Sequence, residues 1–123
     1  MPAKKQTILK NAKHYKICGS LWIEFEGNRC FGPGRMQLLQ EIEKSGSINK
    51  AAKAMDMSYK KAWTMINELN EQFAKPMVIT QSGGEGGGGS ILTDAAKALM
   101  NYHEELRNRF ANFLKNEMQT LTI

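Results

Sequence analysis

The stretch 47–73, SINKAAKAMDMSYKKAWTMINELNEQF, restricts the fold more than any other part of the chain, because it reads as two helices separated by a tight corner. Ser47 is placed to cap the first, over 48–55, by accepting from an orphan N–H of the first turn. Ala51, Ala52 and Met55 share one face. The adjacent small pair Ala51 and Ala52 lets a second helix cross at the usual separation of ~8–10 Å. Asp56 falls at the corner, where Asp tolerates the left-handed conformation better than most residues, and Met57 is expected to tuck beneath it. Ser58 caps the second helix, whose apolar stripe is Ala62, Ile66, Leu69 and Phe73, with Trp63 and Asn70 beside it. The opposite face carries Tyr59, Lys60, Lys61, Thr64 and Asn67. Such side chains reach phosphates and base edges when the N-terminal half of a helix lies in a major groove. The same pattern also fits a solvated face on an ordinary helical hairpin.

The flanking segments read as supports for this unit. A chain of 123 residues suffices for one domain with its own core, without disulfides or metal. Residues 35–44 form a scaffold helix with the apolar face Met36, Leu38, Leu39 and Ile42, closed by Ser45-Gly46. Upstream, residues 15–31 are rich in β-branched and aromatic types around Glu26-Gly27-Asn28-Arg29, which predicts a hairpin. A turn closing between Gly27 and Asn28 sets Cys30 opposite Phe25. Leu21, Ile23 and Phe25 are expected to face the helices, leaving Trp22 either as a surface for a second subunit or as a cap on the core edge. Gly32-Pro33-Gly34 is expected to break the chain. The two cysteines, Cys18 and Cys30, have no CxxC or Cys/His spacing and read as reduced, partly buried thiols.

Downstream, Pro76 blocks helix continuation, and short strands over 77–80 and 91–92 flank a glycine-rich run. Two strands around such a tip make a β-wing, whose contact set is Gly83, Gly84, Gly86, Gly87, Gly88, Gly89 and Ser90; backbone without Cβ atoms approaches DNA closely. A flexible linker is the second reading, although too little chain follows for another domain. A phosphate-binding loop fails because no Lys-Ser/Thr follows the glycines. Thr93 caps a last helix, 93–116, with Asp94 favourably in its first turn. Leu99, Tyr102, Leu106, Phe110 and Phe113 form a seam along it, expected to meet the same helix of a second subunit, with Arg107 and Arg109 as rim charges. The alternative is that the seam folds back on its own domain.

Charge is unevenly spread. Of 17 basic residues, five lysines (Lys4, Lys5, Lys10, Lys13, Lys16) lie in residues 1–16, which hold no acid; the remaining 12 balance the 12 acids. Residues 1–16 therefore read as a basic tail, solubilising or disordered or in contact with phosphate, ahead of a domain over 17–123. Lys50, Lys53, Lys60 and Lys61 against Asp56 alone make a second local basic feature, suited to phosphate neutralisation. No apolar run approaches the ~18–20 residues of a bilayer span and the N-terminus has no secretory h-region, so the expectation is a cytoplasmic protein with no membrane partner. Only His14 and His103 supply imidazole, no nucleophile and base stand at a recognisable spacing, and no metal or cofactor set is evident, so no enzyme is expected.

The block SGSINKAAKAMDMSYKKAWTMINELN, followed by GGEGGGGSILT, resembles the N-terminal DNA-binding domain of the ModE-type molybdenum-responsive regulators, which are related to the LysR-type winged helix-turn-helix group. The resemblance covers residues 35–114, and its most specific parts are Ser-Tyr-Lys-Lys-Ala-Trp and the glycine run leading into Ile-Leu-Thr. It implies that the glycine tract is native and that the helix after Thr93 is the dimerisation helix. It also implies that Ser58, Tyr59, Lys60, Lys61 and Thr64 lie at the DNA, with residues 83–90 in the wing. Trp63 matches the family pattern, while its place beside the apolar stripe fits packing. Regulators of that family carry a C-terminal oxyanion-binding region for which a chain ending at Ile123 has no room, and no convergent anion donors are evident, so molybdate sensing is not expected and the effector is unassigned.

The combined expectation is a mainly α protein with small β-elements, a winged helix-turn-helix. It acts as a homodimer on a roughly palindromic site in double-stranded DNA through Ser47, Ser58, Tyr59, Lys60, Lys61, Thr64, Asn67 and the wing. The alternatives are a protein-interaction adaptor on the same fold, which requires an apolar patch at the recognition face for which Met65 is the candidate, and a nonspecific architectural DNA binder.

Overall fold

The structure is a computed structural model that describes residues 8–81 and 89–123. Four helices and two short antiparallel hairpins follow one another: β1 (Ile23–Phe25), β2 (Asn28–Phe31), α1 (Pro33–Ser45), α2 (Ile48–Ala54), α3 (Tyr59–Gln72), β3 (Val78–Thr80), β4 (Ser90–Leu92) and α4 (Asp94–Glu117). The arrangement is a winged helix-turn-helix: α1 packs on α2, α2 on α3, and the β3–β4 pair lies against α1.

Local chemistry explains the boundaries. α1 begins earlier than the sequence suggests, because Pro33 and Gly34, expected to break the chain, occupy its first turn. Proline suits that place, since its missing N–H is one of the helix's orphan donors and its φ is already helical. α1 ends where Gly46 turns left-handed at φ 70° and its N–H returns to the Ile42 carbonyl at 2.7 Å. Ser47, Ser58 and Thr93 each accept a backbone N–H three residues on, from Lys50, Lys61 and Ala96, as N-caps. Asp56 takes the corner at φ 53°, and Met57 is half-buried beneath it.

One core joins these pieces. Met36, Leu38, Leu39 and Ile42 of α1 meet Ile48, Ala51 and Ala52 of α2, then Ala62, Ile66 and Leu69 of α3. Ala51, Ala52 and Ala62 are almost wholly buried, so the helices cross where methyl groups are the largest side chains between them. Met77, Val78 and Leu92 close the wing side, and Ala96 and Met100 bring in the start of α4.

The N-terminal hairpin departs from expectation. Its turn is Glu26-Gly27, both at positive φ (52° and 84°), one residue earlier than predicted, as a two-residue turn matched to strand twist requires. Asn28, not Cys30, therefore pairs with Phe25, and an irregularity between Ile23 and Glu24 leaves Cys30 as the extra residue of β2. That bulge turns both Cys30 and Phe31 into the core. Phe25, expected to face inward with Leu21 and Ile23, is 46% exposed, while the other two are half-buried. The thiols also differ: Cys30 is buried and Cys18 is exposed, so the pair is not evenly half-covered. Burial pushes the Cys30 thiol up from its ordinary value, partly offset by Arg35.

The ascending segment before β1 runs along the distal half of α4. The Leu9 N–H donates to the Ile123 carbonyl, the Ile17 N–H to Met118 Sδ, and Gly19 lies so close to Phe110 that a Cβ there would stand 2.9 Å from the ring. Lys10, Lys13 and Lys16 of the basic segment belong to this run, whereas Lys4 and Lys5 lie outside the described residues.

Candidate nucleic-acid interface

The sequence of α3 divides its surface into three strips. Ala62, Ile66 and Leu69 are locked in the core, which fixes the helix's rotation. With a turn of about 100° per residue, Lys60, Thr64 and Asn67 must then point away from the domain, and all three are exposed. Thr64 Oγ1 donates back to the Lys60 carbonyl at 3.0 Å, so its oxygen lone pairs are presented outward. Tyr59 and Trp63, one turn apart, form one flank, their rings edge to face at 6.1 Å. Lys61 and Met65 form the other.

The flank of Tyr59 and Trp63 borders a cleft of 270 Å³ shared with the start of α2 and the wing, lined by Ser47, Asn49, Gln81 and Gly89 among others. Ser47 and Ser58 accept helix N–H groups through Oγ, which leaves each hydroxyl proton available for an external acceptor. The base of the wing is tied beside this cleft by Ser90, which donates its N–H to the Gly46 carbonyl at 2.9 Å, and its strands are joined by Gln81 N–H to the Gly89 carbonyl at 2.7 Å. Ser90 is itself buried and paired with Thr80, so its contribution to the cleft is structural. Gly83, Gly84, Gly86, Gly87 and Gly88 lie outside the described residues.

Two supports escaped the sequence reading. Asn70 joins α3 to the wing strand: its Oδ1 accepts from Met77 and Val78 N–H at 2.8 and 3.2 Å, and its Nδ2 donates to the Val78 carbonyl at 3.1 Å. Arg35, in the first turn of α1, bridges to Glu68 and donates to Gln72 at 3.1 Å. An Asn just outside an apolar stripe was visible in the sequence, but nothing in its spacing told which backbone it would satisfy. Met65, the one candidate for an apolar patch on the recognition face, is half-buried and packs beside the core and the N-terminal hairpin.

The seam on α4 divides in two. Ala96, Met100 and His103 are buried against the domain, and Leu99 packs beside them. Phe110 is covered by Gly19 of the N-terminal segment, so this part folds back on its own chain. Tyr102 and Phe113 remain 52% and 55% exposed, with Leu106 half-buried between them, along a stripe displaced by roughly 80° from the buried one. Arg109 lies over the Tyr102 ring at 5.9 Å.

Among the described residues no three His, Cys, Asp or Glu side chains converge on a possible metal site, and no helix is long and apolar enough to cross a membrane. His103 is wholly buried, edge to face with Phe31 at 5.0 Å, and neither ring nitrogen has a protein partner. Burial lowers its pKa from the ordinary value, reinforced by Arg107 and opposed by Glu104.

Comparison with known proteins agrees with this geometry. Residues 34–97 match the family described as bacterial regulatory helix-turn-helix protein, lysR family. The chain is 42% identical over 74 residues to the DNA-binding transcriptional dual regulator ModE of Escherichia coli, covering 60% of this chain and 28% of that protein. It is 39% identical over 80 residues to the molybdenum transport protein ModE of Azotobacter vinelandii, covering 65% and 30%. It is 34% identical over 92 residues to the molybdenum-pterin-binding protein MopB of Rhodobacter capsulatus, covering 75% and 34%. The chain thus spans about a third or less of the length of these relatives.

Proposed function

We propose, starting from the fact that the chain belongs to the lysR family of bacterial regulatory helix-turn-helix proteins, that it is a DNA-binding transcriptional regulator that reads a roughly palindromic duplex site as a homodimer. The observation that carries this reading is the orientation of α3. Its apolar stripe is clamped, and Lys60 and Thr64 stand outward from the half of the helix that a major groove admits, with Asn67 next along the same strip. Lys60 and Lys61 supply cations for phosphate or guanine, and Tyr59, Thr64 and Asn67 supply contacts to base edges or backbone. Ser47 and Ser58 offer hydroxyl protons to phosphate, and residues 83–89 of the wing add a flanking contact.

The outward stripe of Tyr102, Leu106 and Phe113 supports pairing through α4, whose 24 residues span about 36 Å at 1.5 Å per residue. To enter successive major grooves, two copies so joined need their α3 helices ~34 Å apart, one turn of duplex. The unit is residues 17–123, preceded by the basic segment 1–16; its work is recognition without a catalytic step, and its place is the cytoplasm. The molybdenum in the relatives' names is not carried over, because the match spans so little of their length.

The test is Lys60→Ala, followed by fluorescence anisotropy on a bound duplex across a salt titration. Loss of one phosphate contact lowers the slope of log affinity against log salt by ~0.9. An unchanged slope together with unchanged affinity would remove Lys60 from the interface.

A further inference from the structure

The recognition helix has a cleft on each flank, and only the wing-side cleft is used by the reading above. The other, of 340 Å³, lies between the N-terminal hairpin, the start of α1 and α3, and is lined by Ser20, Trp22, Arg29, Pro33, Arg35 and Met65 among others. Met65 stands one turn beyond Lys61 on the same side of α3, and that side is about 200° round the axis from Tyr59 and Trp63. The hairpin and the wing therefore bracket α3 from opposite sides.

A major groove is ~12 Å wide, about the diameter of a helix with its side chains, and is walled by two sugar-phosphate backbones. Whatever flanks an inserted helix on both sides meets both backbones. With the wing-side cleft towards one, the hairpin-side cleft lies on the side of the other. What that cleft offers is Arg29, whose guanidinium is held 3.7 Å over the ring of Trp22. The stack leaves the guanidinium's edge donors free and spares the entropy of ordering a long side chain. Glu24, the cross-strand partner of Arg29, has its carboxylate engaged by the Trp22 indole N–H at 3.0 Å. Arg35 is anchored to Glu68 and Gln72 and holds the cleft's floor to α3.

We propose that the β1–β2 hairpin is a second phosphate-contacting arm, in which Arg29, preset by Trp22, grips the DNA backbone on the side of α3 opposite the wing. The inference rests on the proposed DNA-binding function and adds a contact that the glycine wing and α3 do not supply. The contact carries no base information, so it tightens binding equally on all sites and fixes the angle at which α3 enters the groove.

The full chain, with Arg29→Ala, Arg29→Lys and Lys60→Ala variants, is titrated onto a bound duplex from low to high salt. Arg29→Ala is expected to lower the salt slope by ~0.9, equivalent to about fivefold weaker binding at ~150 mM salt relative to a 1 M reference. It is also expected to leave base preference unchanged and to erase ethylation interference at phosphates on one side of the groove only. Arg29→Lys should keep most of the slope. If Lys60→Ala weakens binding while Arg29→Ala matches the unaltered protein, the hairpin arm is wrong and the recognition helix stands. If the unaltered protein binds no duplex, the functional reading itself falls. Saturable binding of inorganic phosphate without DNA, abolished by Arg29→Ala, would assign the cleft to a free oxyanion and overturn the backbone contact.

Discussion

Replacing Asn70 by alanine tests whether the wing is held by α3 or merely lies beside it. The side chain makes three hydrogen bonds to the backbone of Met77 and Val78, and both residues are 3% exposed. In the β3–β4 pair, Val78 stands opposite Leu92, while the Met77 carbonyl accepts from Thr93. The Val78 N–H and C=O thus point away from β4 and find their partner in Asn70. Truncation strands two N–H groups and a carbonyl where water enters poorly. At ~1 kcal/mol for each lost bond, and more for a group left fully unpaired, the cost is about 2–4 kcal/mol, a large share of the ~5–15 kcal/mol of a typical domain. Urea unfolding followed by circular dichroism measures the loss, and amide exchange at Met77 and Val78 locates it. Asn70→Asp keeps the two acceptor bonds but sets a carboxylate against the Val78 carbonyl, so it should recover only part of the stability. A loss below ~0.5 kcal/mol for Asn70→Ala, or unchanged protection of those two amides, would refute the reasoning.

His103 is buried without partners and its folded pKa is depressed below 6.5, so the unfolded chain binds the proton more readily. The stability it allows is therefore present above the ordinary histidine value and is lost as pH falls through the depressed folded value. His103→Leu should flatten the urea midpoint across that window, and a slope that survives the substitution would assign the sensitivity elsewhere. Of the two thiols, exposed Cys18 should react with a thiol reagent at once and buried Cys30 only on unfolding; equal rates in the native protein would contradict the placement of β2. Gly19→Val should lift the N-terminal segment off Phe110, seen as faster proteolysis before residue 20.

The helix-turn-helix was legible because its signals are local. Ser47 and Ser58 as caps, Asp56 at the corner and the Ala51, Ala52 and Ala62 crossing are each dictated by backbone chemistry within a few residues. The turn of the N-terminal hairpin is not fixed locally, since the choice between Glu26-Gly27 and Gly27-Asn28 depends on the bulge that sends Cys30 and Phe31 inward together. That bulge is a tertiary decision. Asn70 and Arg35 were not found for a related reason: their partners lie 7 to 37 residues away, and polar side chains leave no periodic trace of a distant partner. The apolar residues of α4 fall on one stripe by sequence spacing, which alone does not show that the segment before β1 returns to cover Phe110.

The most direct test of the central claim is selection of bound sequences from a random duplex library by the intact protein at ~150 mM salt, where nonspecific phosphate attraction is already weakened. A two-fold symmetric motif is expected, with half-sites about 10 base pairs apart, centre to centre. Recovery of no motif, or of a single asymmetric half-site, would contradict a dimer that reads DNA through paired α3 helices.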